Sequence, residues 1–242
     1  MAEIRTGIQE VDPRHRLDVA RLEAHLRARL EGFDGALVVR QFVGGQSNPT
    51  YHLSDGRSEW VLRRKPPGQL VRSAHAVDRE FRVLSALSQV GFPVPRPRLY
   101  CGDESVLGSE FYVMDRIEGR ILVDQTLPGW TPDERRSLYA SQIDVLARLH
   151  AYDPESLGLA DFGRAGNYFA RQIHVWTRQY RDAGVARCDA MERLAEWLPA
   201  NVPDDASTAI VHGDYGLNNL ILHPTEPRIV AVLDWELSTL GH

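Results

Sequence analysis

The sequence predicts an α+β fold, with short antiparallel strands early, long helices later, and a last strand-rich segment. Three observations carry this. Ala36–Val43, Tyr51–Leu53 and Glu59–Lys65 are strand-length runs separated by a small-residue loop and a tight turn, the pattern of hairpins. Thr131–Ala151, Asn167–Asp182 and Asp189–Pro199 are long enough, and periodic enough, for helices. Ile210–Glu236 then holds two short apolar runs, Ile210-Val211 and Ile229–Leu233, each ending in a polar cluster.

In chain order, residues 1–12 show no period and read as a loose leader. Pro13–Leu30 places Val19, Leu22, Leu26 and Leu30 at helical spacing, and Gly32 can end that helix. The loop Gly44-Gly45-Gln46-Ser47-Asn48-Pro49-Thr50 between the first two strands is small enough to let backbone N–H groups approach an anion. Ser54-Asp55-Gly56 is a tight turn. Along Glu59–Lys65, Val61, Arg63 and Lys65 share one face by the two-residue period. Arg63, Arg64 and Lys65 taken alone read as a solvated cluster.

Ser73–Gln89 is helical, with Val77, Phe81, Leu84 and Leu87 on its apolar face and Glu80 beside it. Gly91–Pro97 is an extended connector, because its three prolines exclude helix. Leu99–Cys101 and Ser109–Met114 are strands around a turn at Gly102–Gly108. Thr131-Pro132-Asp133-Glu134 opens the next helix with a cap, a proline at the first helical position and a capping box. Its stripe reads Tyr139, Ile143, Leu146, Ala147 and His150, with His150 a hydrogen-bonded packing residue. Trp176, Tyr180 and Trp197 are expected in the core rather than lining a pocket.

The 242 residues suffice for one large domain or two small ones with a well-buried core. Hydrophobic content of 43% and charged content of 25% are ordinary for a globular chain. A net charge of −5 with no basic patch argues against a nucleic-acid partner. No apolar run reaches the ~18 residues of a membrane span, and the N-terminus lacks a signal-peptide core. Cys101 and Cys188 are too few for a disulfide framework, which points to a reducing cytoplasm. Lys65 is the only lysine among 28 basic residues, a skew that fits a GC-rich genome better than a function.

The chemistry gathers in Ile210–Glu236. His212-Gly213-Asp214 follows the first run, Asn219 stands five residues past Asp214, and Asp234-Trp235-Glu236 follows the second. Phosphoryl transfer needs a carboxylate to accept the proton of an attacking hydroxyl, and oxygen ligands for Mg²⁺ on the nucleotide phosphates. Asp214 suits the first task; Asn219 and Asp234 suit the second. Taken singly, the same residues serve as turn caps and strand ends. A metallohydrolase built on His212, Asp214, His223 and Asp234 lacks any HxH or HExxH cluster to support it.

This segment resembles the catalytic core of the aminoglycoside phosphotransferase superfamily, whose loop reads H-G-D-x-x-x-x-N and whose metal aspartate sits in a hydrophobic-Asp-Trp motif. Here these are His212, Gly213, Asp214, Asn219 and Leu233-Asp234-Trp235. The resemblance covers about residues 15–242. It implies a protein-kinase-like two-lobe fold, with a small antiparallel-sheet lobe in 1–116 and a partial, mainly helical catalytic lobe in 117–242. It also implies ATP and Mg²⁺ as cofactors, with Asp214 as base and Asn219 and Asp234 as metal ligands. Ser47 and Asn48 would contact phosphates. Arg63, in place of the family's usual lysine, or else Lys65, would grip them with Glu80 as its partner. Met114 would line the base pocket, with Asp115 C=O and Ile117 N–H bonding adenine. His150 matches the family's Leu-His pair.

Trp176–Tyr180, Arg63–Gly68 and Ala74–Glu80 most resemble one branch, the kinase-like domain fused to some acyl-CoA dehydrogenases. That branch suggests a hydroxyacyl-CoA such as a 4-hydroxyacyl-CoA as the hydroxyl acceptor. An aminoglycoside or other small-molecule kinase and a non-catalytic nucleotide-binding module are the alternatives. The expected partners are a nucleotide and a small-molecule acceptor, with no nucleic acid or membrane, and a homodimer is compatible with this. Relatives continue beyond the position of His242, so a fragment or an abbreviated lobe is expected.

Overall fold

The computed structural model describes residues 7–43, 48–66, 76–122, 124–164, 166–184, 186–203 and 207–242. The elements begin with β1 (Ile8–Gln9), α1 (Val19–Arg29), β2 (Val38–Phe42), β3 (Thr50–Ser54), β4 (Glu59–Arg64) and α2 (Val77–Gln89). They continue with β5 (Pro97–Cys101), α3 (Glu104–Leu107), β6 (Phe111–Asp115) and α4 (Pro132–His150). The last are α5 (Tyr168–Asp182), α6 (Asp189–Trp197), β7 (Ala209–Val211), β8 (Leu220–Leu222), β9 (Ile229–Val232) and β10 (Thr239–Gly241). They fall into two compact units, Met1–Arg148 with Gly213–Leu237, and Leu149–His212 with Ser238–His242.

The first unit is built on a six-stranded sheet in the order β1-β2-β3-β4-β6-β5, and each neighbouring pair runs antiparallel. The two-residue period gives the sheet its two faces. Tyr51, Leu53, Trp60, Leu62, Phe111 and Val113 point to one side, where Leu22 and Leu26 of α1 and Leu30 just past its end complete an apolar core. Val61, Arg63, Tyr112 and Met114 point to the other, the side of a cavity described below. Both faces are covered, so β4 is buried from Trp60 to Arg64. Separately, β8 and β9 form an antiparallel hairpin in this unit.

In the second unit β10 pairs antiparallel with β7, Thr239 opposite Val211. Leu159 and Phe162 are buried there, while α5 and α6 keep no fully buried residue. No helix among the described residues is long and apolar enough to cross a membrane.

Several local expectations change. Part of the leader is a strand, because Ile8 and Gln9 pair with Phe42 and Gln41. Instead of starting at Pro13, the first helix starts at Val19, where the Asp18 carboxylate accepts from Arg21 N–H; a short 3-10 turn at Pro13–His15 precedes it. Glu104–Leu107 makes a helical turn inside the expected loop, capped by Asp103 and closed by Gly108 in the left-handed region.

The capping box of α4 forms as read, with Thr131 N–H donating to Glu134 and Glu134 N–H to Thr131 Oγ1. Its buried stripe is instead Leu138, Val145 and Leu149, leaving Tyr139, Ile143 and His150 exposed. Trp176 and Trp197 are also exposed rather than core, and Tyr180 is half-buried with its hydroxyl accepting from Cys188 N–H. Periodicity finds an apolar stripe but not which of two adjacent stripes is covered. Arg64 leaves the solvated cluster altogether: it is buried, and its Nε donates to Ser109 Oγ at 2.9 Å.

Candidate active site

Residues 213–219 leave β7 as a tight loop. Gly213 sits at φ +87°, and a Cβ there would lie 2.5 Å from the Leu237 carbonyl, so only glycine fits. Tyr215 anchors the loop through its hydroxyl, which donates to the Gln142 carbonyl of α4 at 2.8 Å. A 3-10 turn at Leu217–Asn219 then brings Asn219 back on Asp214. Asn219 Nδ2 donates to both the backbone oxygen and Oδ2 of Asp214, each at 2.9 Å. The Asn219 carbonyl accepts from Leu233 N–H at 2.8 Å, which sets Asp234 beside it at the end of β9. Asp234 lies in the left-handed region at φ +64°, a conformation Asp tolerates better than most residues. The local spacing thus brings Asp214, Asn219 and Asp234 together.

Across from them lies Arg63 of β4. Its guanidinium meets Glu80 of α2 at 3.3 Å, Asp234 at 3.0 Å and Glu236 at 4.0 Å. Glu80 stands in the middle of the buried stripe of α2, one turn from Val77 and Leu84, rather than beside it. Tyr112 donates its hydroxyl to Glu80 at 3.4 Å. Burial works against the Arg63 charge, but Glu80, Tyr112 and Asp234 more than reverse it, so the guanidinium is held protonated beyond its ordinary range. Lys65 lies past the end of β4, half-buried, and does not line the cavity; its backbone N–H donates to Glu110 O at 3.0 Å.

Burial pushes the Glu80 carboxyl from 4.5 up to about 7, against the pull of Arg63, with Asp234 and Glu236 adding to the rise. The folded protein therefore holds this proton more tightly than the unfolded chain. The resulting stabilisation is complete below pH 4.5 and is lost as the pH climbs to about 7. The loss is on the order of 3 kcal/mol. Urea midpoints of the wild type should fall across that window, and Glu80→Gln should flatten the fall. An unchanged slope in the variant would show that Glu80 titrates in the fold as it does in water.

Arg63, Asn218, Asn219 and Asp234 form the polar end of a cavity of about 380 Å³, within the size range of small-ligand sites. Its apolar walls include Val61, Leu84, Met114, Ile117, Ile221 and Val232, and Asp115 also lines it. The Asp115 carboxylate is held by Arg98 through two bonds of 2.7 and 2.8 Å. Gly119 lets this rim dock on β8, since a Cβ there would lie 2.3 Å from both Ile221 Cγ2 and Leu222 O. Arg120 completes the junction, exchanging backbone bonds with Leu222 and donating to the His223 and Glu226 carbonyls.

Of the expected nucleotide contacts, Ser47 lies outside the described residues. Asn48 is buried and does not line the cavity; its Nδ2 donates to Glu236 Oε2 at 3.0 Å. Glu236, Tyr112 and Asn218, which donates to Asn219 Oδ1, were not singled out from sequence. Only Glu236 carried a signal, as part of the Asp-Trp-Glu cluster. Among the described residues no three His, Cys, Asp or Glu side chains make a ready metal cluster. The oxygen set of Asp234 and Asn219 still fits Mg²⁺, which takes one or two protein oxygens and completes its shell with phosphates and water.

An antiparallel sheet followed by helices, with Asn219 and Asp234 at one end of an apolar cavity and Asp214 bonded to Asn219, defines a kinase-like α+β phosphotransferase fold. Comparison with known proteins agrees. The model of the Phosphotransferase enzyme family (APH) matches residues 38–242, and the chain belongs to that family. A Ralstonia eutropha JMP134 structure provisionally named an aminoglycoside phosphotransferase is 48% identical with a TM-score of 0.84, over 94% of this chain and 67% of that one. The streptomycin–ATP ternary complex of APH(2")-IIa shares the fold at 18% identity and a TM-score of 0.62, over 93% of this chain and 72% of that one. Acyl-CoA dehydrogenase family member 11 of Homo sapiens is 47% identical over 242 residues, 98% of this chain and 31% of that protein. The chain thus spans about a third of the curated relatives it matches.

Proposed function

We propose that the chain is an ATP- and Mg²⁺-dependent O-phosphotransferase acting on a small-molecule hydroxyl, with Asp214 as the base. The observation that carries this is that Arg63, Asn219 and Asp234 line the polar end of an apolar cavity within one unit, with Asp214 bonded to Asn219 and Glu80 paired with Arg63 behind them. The cavity would take the adenosine, its base against Met114 and bonded by Asp115 C=O and Ile117 N–H. A neighbour of the same fold that was solved with streptomycin and ATP supports that use of the fold. Ser47 and Asn48 would belong to the loop over the phosphates. The small lobe would comprise residues 1–116 and the catalytic lobe would begin at 117.

Asn219 and Asp234 would hold Mg²⁺, which when bound neutralises charge on the phosphates. Asp214 orients the acceptor hydroxyl and accepts its proton. Asn219 donates its amide N–H to Asp214, which fixes the carboxylate, and its Oδ1, which accepts from Asn218 Nδ2, is the oxygen that would ligate a cation. Arg63 supplies N–H donors to phosphate oxygens while Glu80 holds the guanidinium in place. Catalysis here is positioning and charge complementarity.

The acceptor is proposed to be a hydroxyacyl-CoA such as a 4-hydroxyacyl-CoA, a reading supported by relatives named for acyl-CoA chemistry. Transfer from γ-labelled ATP should be measured against hydroxyacyl-CoAs, free hydroxy acids and aminoglycosides, with Mg²⁺ and with EDTA. Mg²⁺-dependent label on a hydroxyacyl-CoA is the expected result. Label on the aminoglycosides alone would reassign the acceptor. A Mg²⁺-dependent thermal shift with ATP but no transfer to any acceptor would instead mark a nucleotide-binding module.

A further inference from the structure

Arg63 is one cation facing three carboxylates, and its two ends differ. The NH1 end lies on Glu80, which is 1% exposed. The NH2 end lies on Asp234 Oδ1 at 3.0 Å, and both of these residues line the cavity, whereas Glu80 does not. The Glu80 side is therefore an anchor sealed in the fold, and the Asp234 side faces any ligand that enters. A guanidinium can serve both at once because its planar fork sets donors on separate nitrogens, whereas an ammonium offers its three donors from one nitrogen.

We propose that Arg63 is a displaceable internal counter-ion of Asp234, anchored on Glu80, which makes a divalent cation and a nucleotide bind cooperatively. This deepens the phosphotransfer reading and rests on it. A cation arriving alone at Asp234 must compete with NH2 for Oδ1 and is repelled by a like charge at contact distance. A cation arriving with a nucleotide brings phosphate oxygens that give NH2 a new acceptor, so the same exchange loses little. The coupling is reciprocal: nucleotide must tighten the cation as much as the cation tightens nucleotide. Arg63 acts here as a positioning residue, since its effect on the cation is exerted through Asp234.

The test is binding without turnover, with Mn²⁺ followed by electron paramagnetic resonance, alone and with the non-hydrolysable analogue AMP-PNP. In the wild type, AMP-PNP should tighten Mn²⁺ on the order of fivefold or more. Arg63→Lys, whose one ammonium is drawn to the buried Glu80, should bind Mn²⁺ alone several-fold tighter than wild type and show a smaller effect of AMP-PNP. Adding Asp234→Asn should abolish that gain. If Arg63→Lys is poorly folded, Arg63→Met/Glu80→Leu removes both members of the buried pair and should tighten Mn²⁺ in the same way. Unchanged or weaker Mn²⁺ binding in the Arg63 variants, while wild type still binds Mn²⁺ with AMP-PNP, overturns the counter-ion proposal and leaves the phosphotransfer reading standing. Tightening in the variants with no effect of AMP-PNP in any protein keeps Arg63 as a competitor of the cation at Asp234 but overturns the cooperativity, and the phosphotransfer reading with it. Failure of every protein to bind Mn²⁺, with or without AMP-PNP, overturns both.

Discussion

Asp214→Asn is expected to slow phosphoryl transfer on the order of a thousandfold, the usual worth of a positioned general base, while leaving nucleotide affinity near that of wild type. The side chain is exposed, and it accepts from Asn219 Nδ2. An asparagine can turn its own Oδ1 to that donor, so loop and fold should survive. What it loses is the capacity to take a proton. Single-turnover transfer from ATP to an active acceptor isolates the step. Activity within about tenfold of wild type, below the usual range for a general base, would remove Asp214 from that role.

Asp234→Ala should have its large effect at binding rather than chemistry. It deletes a charged oxygen where Mg²⁺ is proposed to sit, so the Mg²⁺-dependent part of ATP affinity should fall on the order of 100-fold or more. Calorimetric titrations with Mg²⁺ and with EDTA separate that part from the rest. Alanine at φ +64° adds backbone strain that has nothing to do with metal. Asp234→Asn is the control, since asparagine also tolerates this conformation. Both variants should lose the Mg²⁺ dependence. If it survives in Asp234→Asn, the ligand assignment is wrong.

Much of this site was legible along the chain because its spacing is local. Asn219 returns to Asp214 within one 3-10 turn, and Asp234 follows β9 directly, so the order H-G-D, N, D already brought these groups together. The alternation along β4 likewise put Val61 and Arg63 on one face. Met114 was assigned to the pocket only through the family resemblance, and the structure places it, with Asp115 and Ile117, on the cavity wall. The stripe of α4 was harder to read. Tyr139 and Ile143 satisfied the helical period as well as Leu138 and Val145 did, and which stripe is covered depends on the elements packed against it.

What the sequence by itself determined was therefore the α+β class, the order of the longer strands and helices, the capping box of α4, and the local grouping of Asp214, Asn219 and Asp234. Only the tertiary structure decided that Arg63 rather than Lys65 meets Glu80 and that it also meets Asp234, 171 positions away, and that Asn48 bonds Glu236, 188 positions away. It alone showed that Arg64 is buried on Ser109. The physical reason is common to all three. Period and propensity act over a few residues and set which way a side chain points. The partner it meets there is set by how distant strands and helices close on one another.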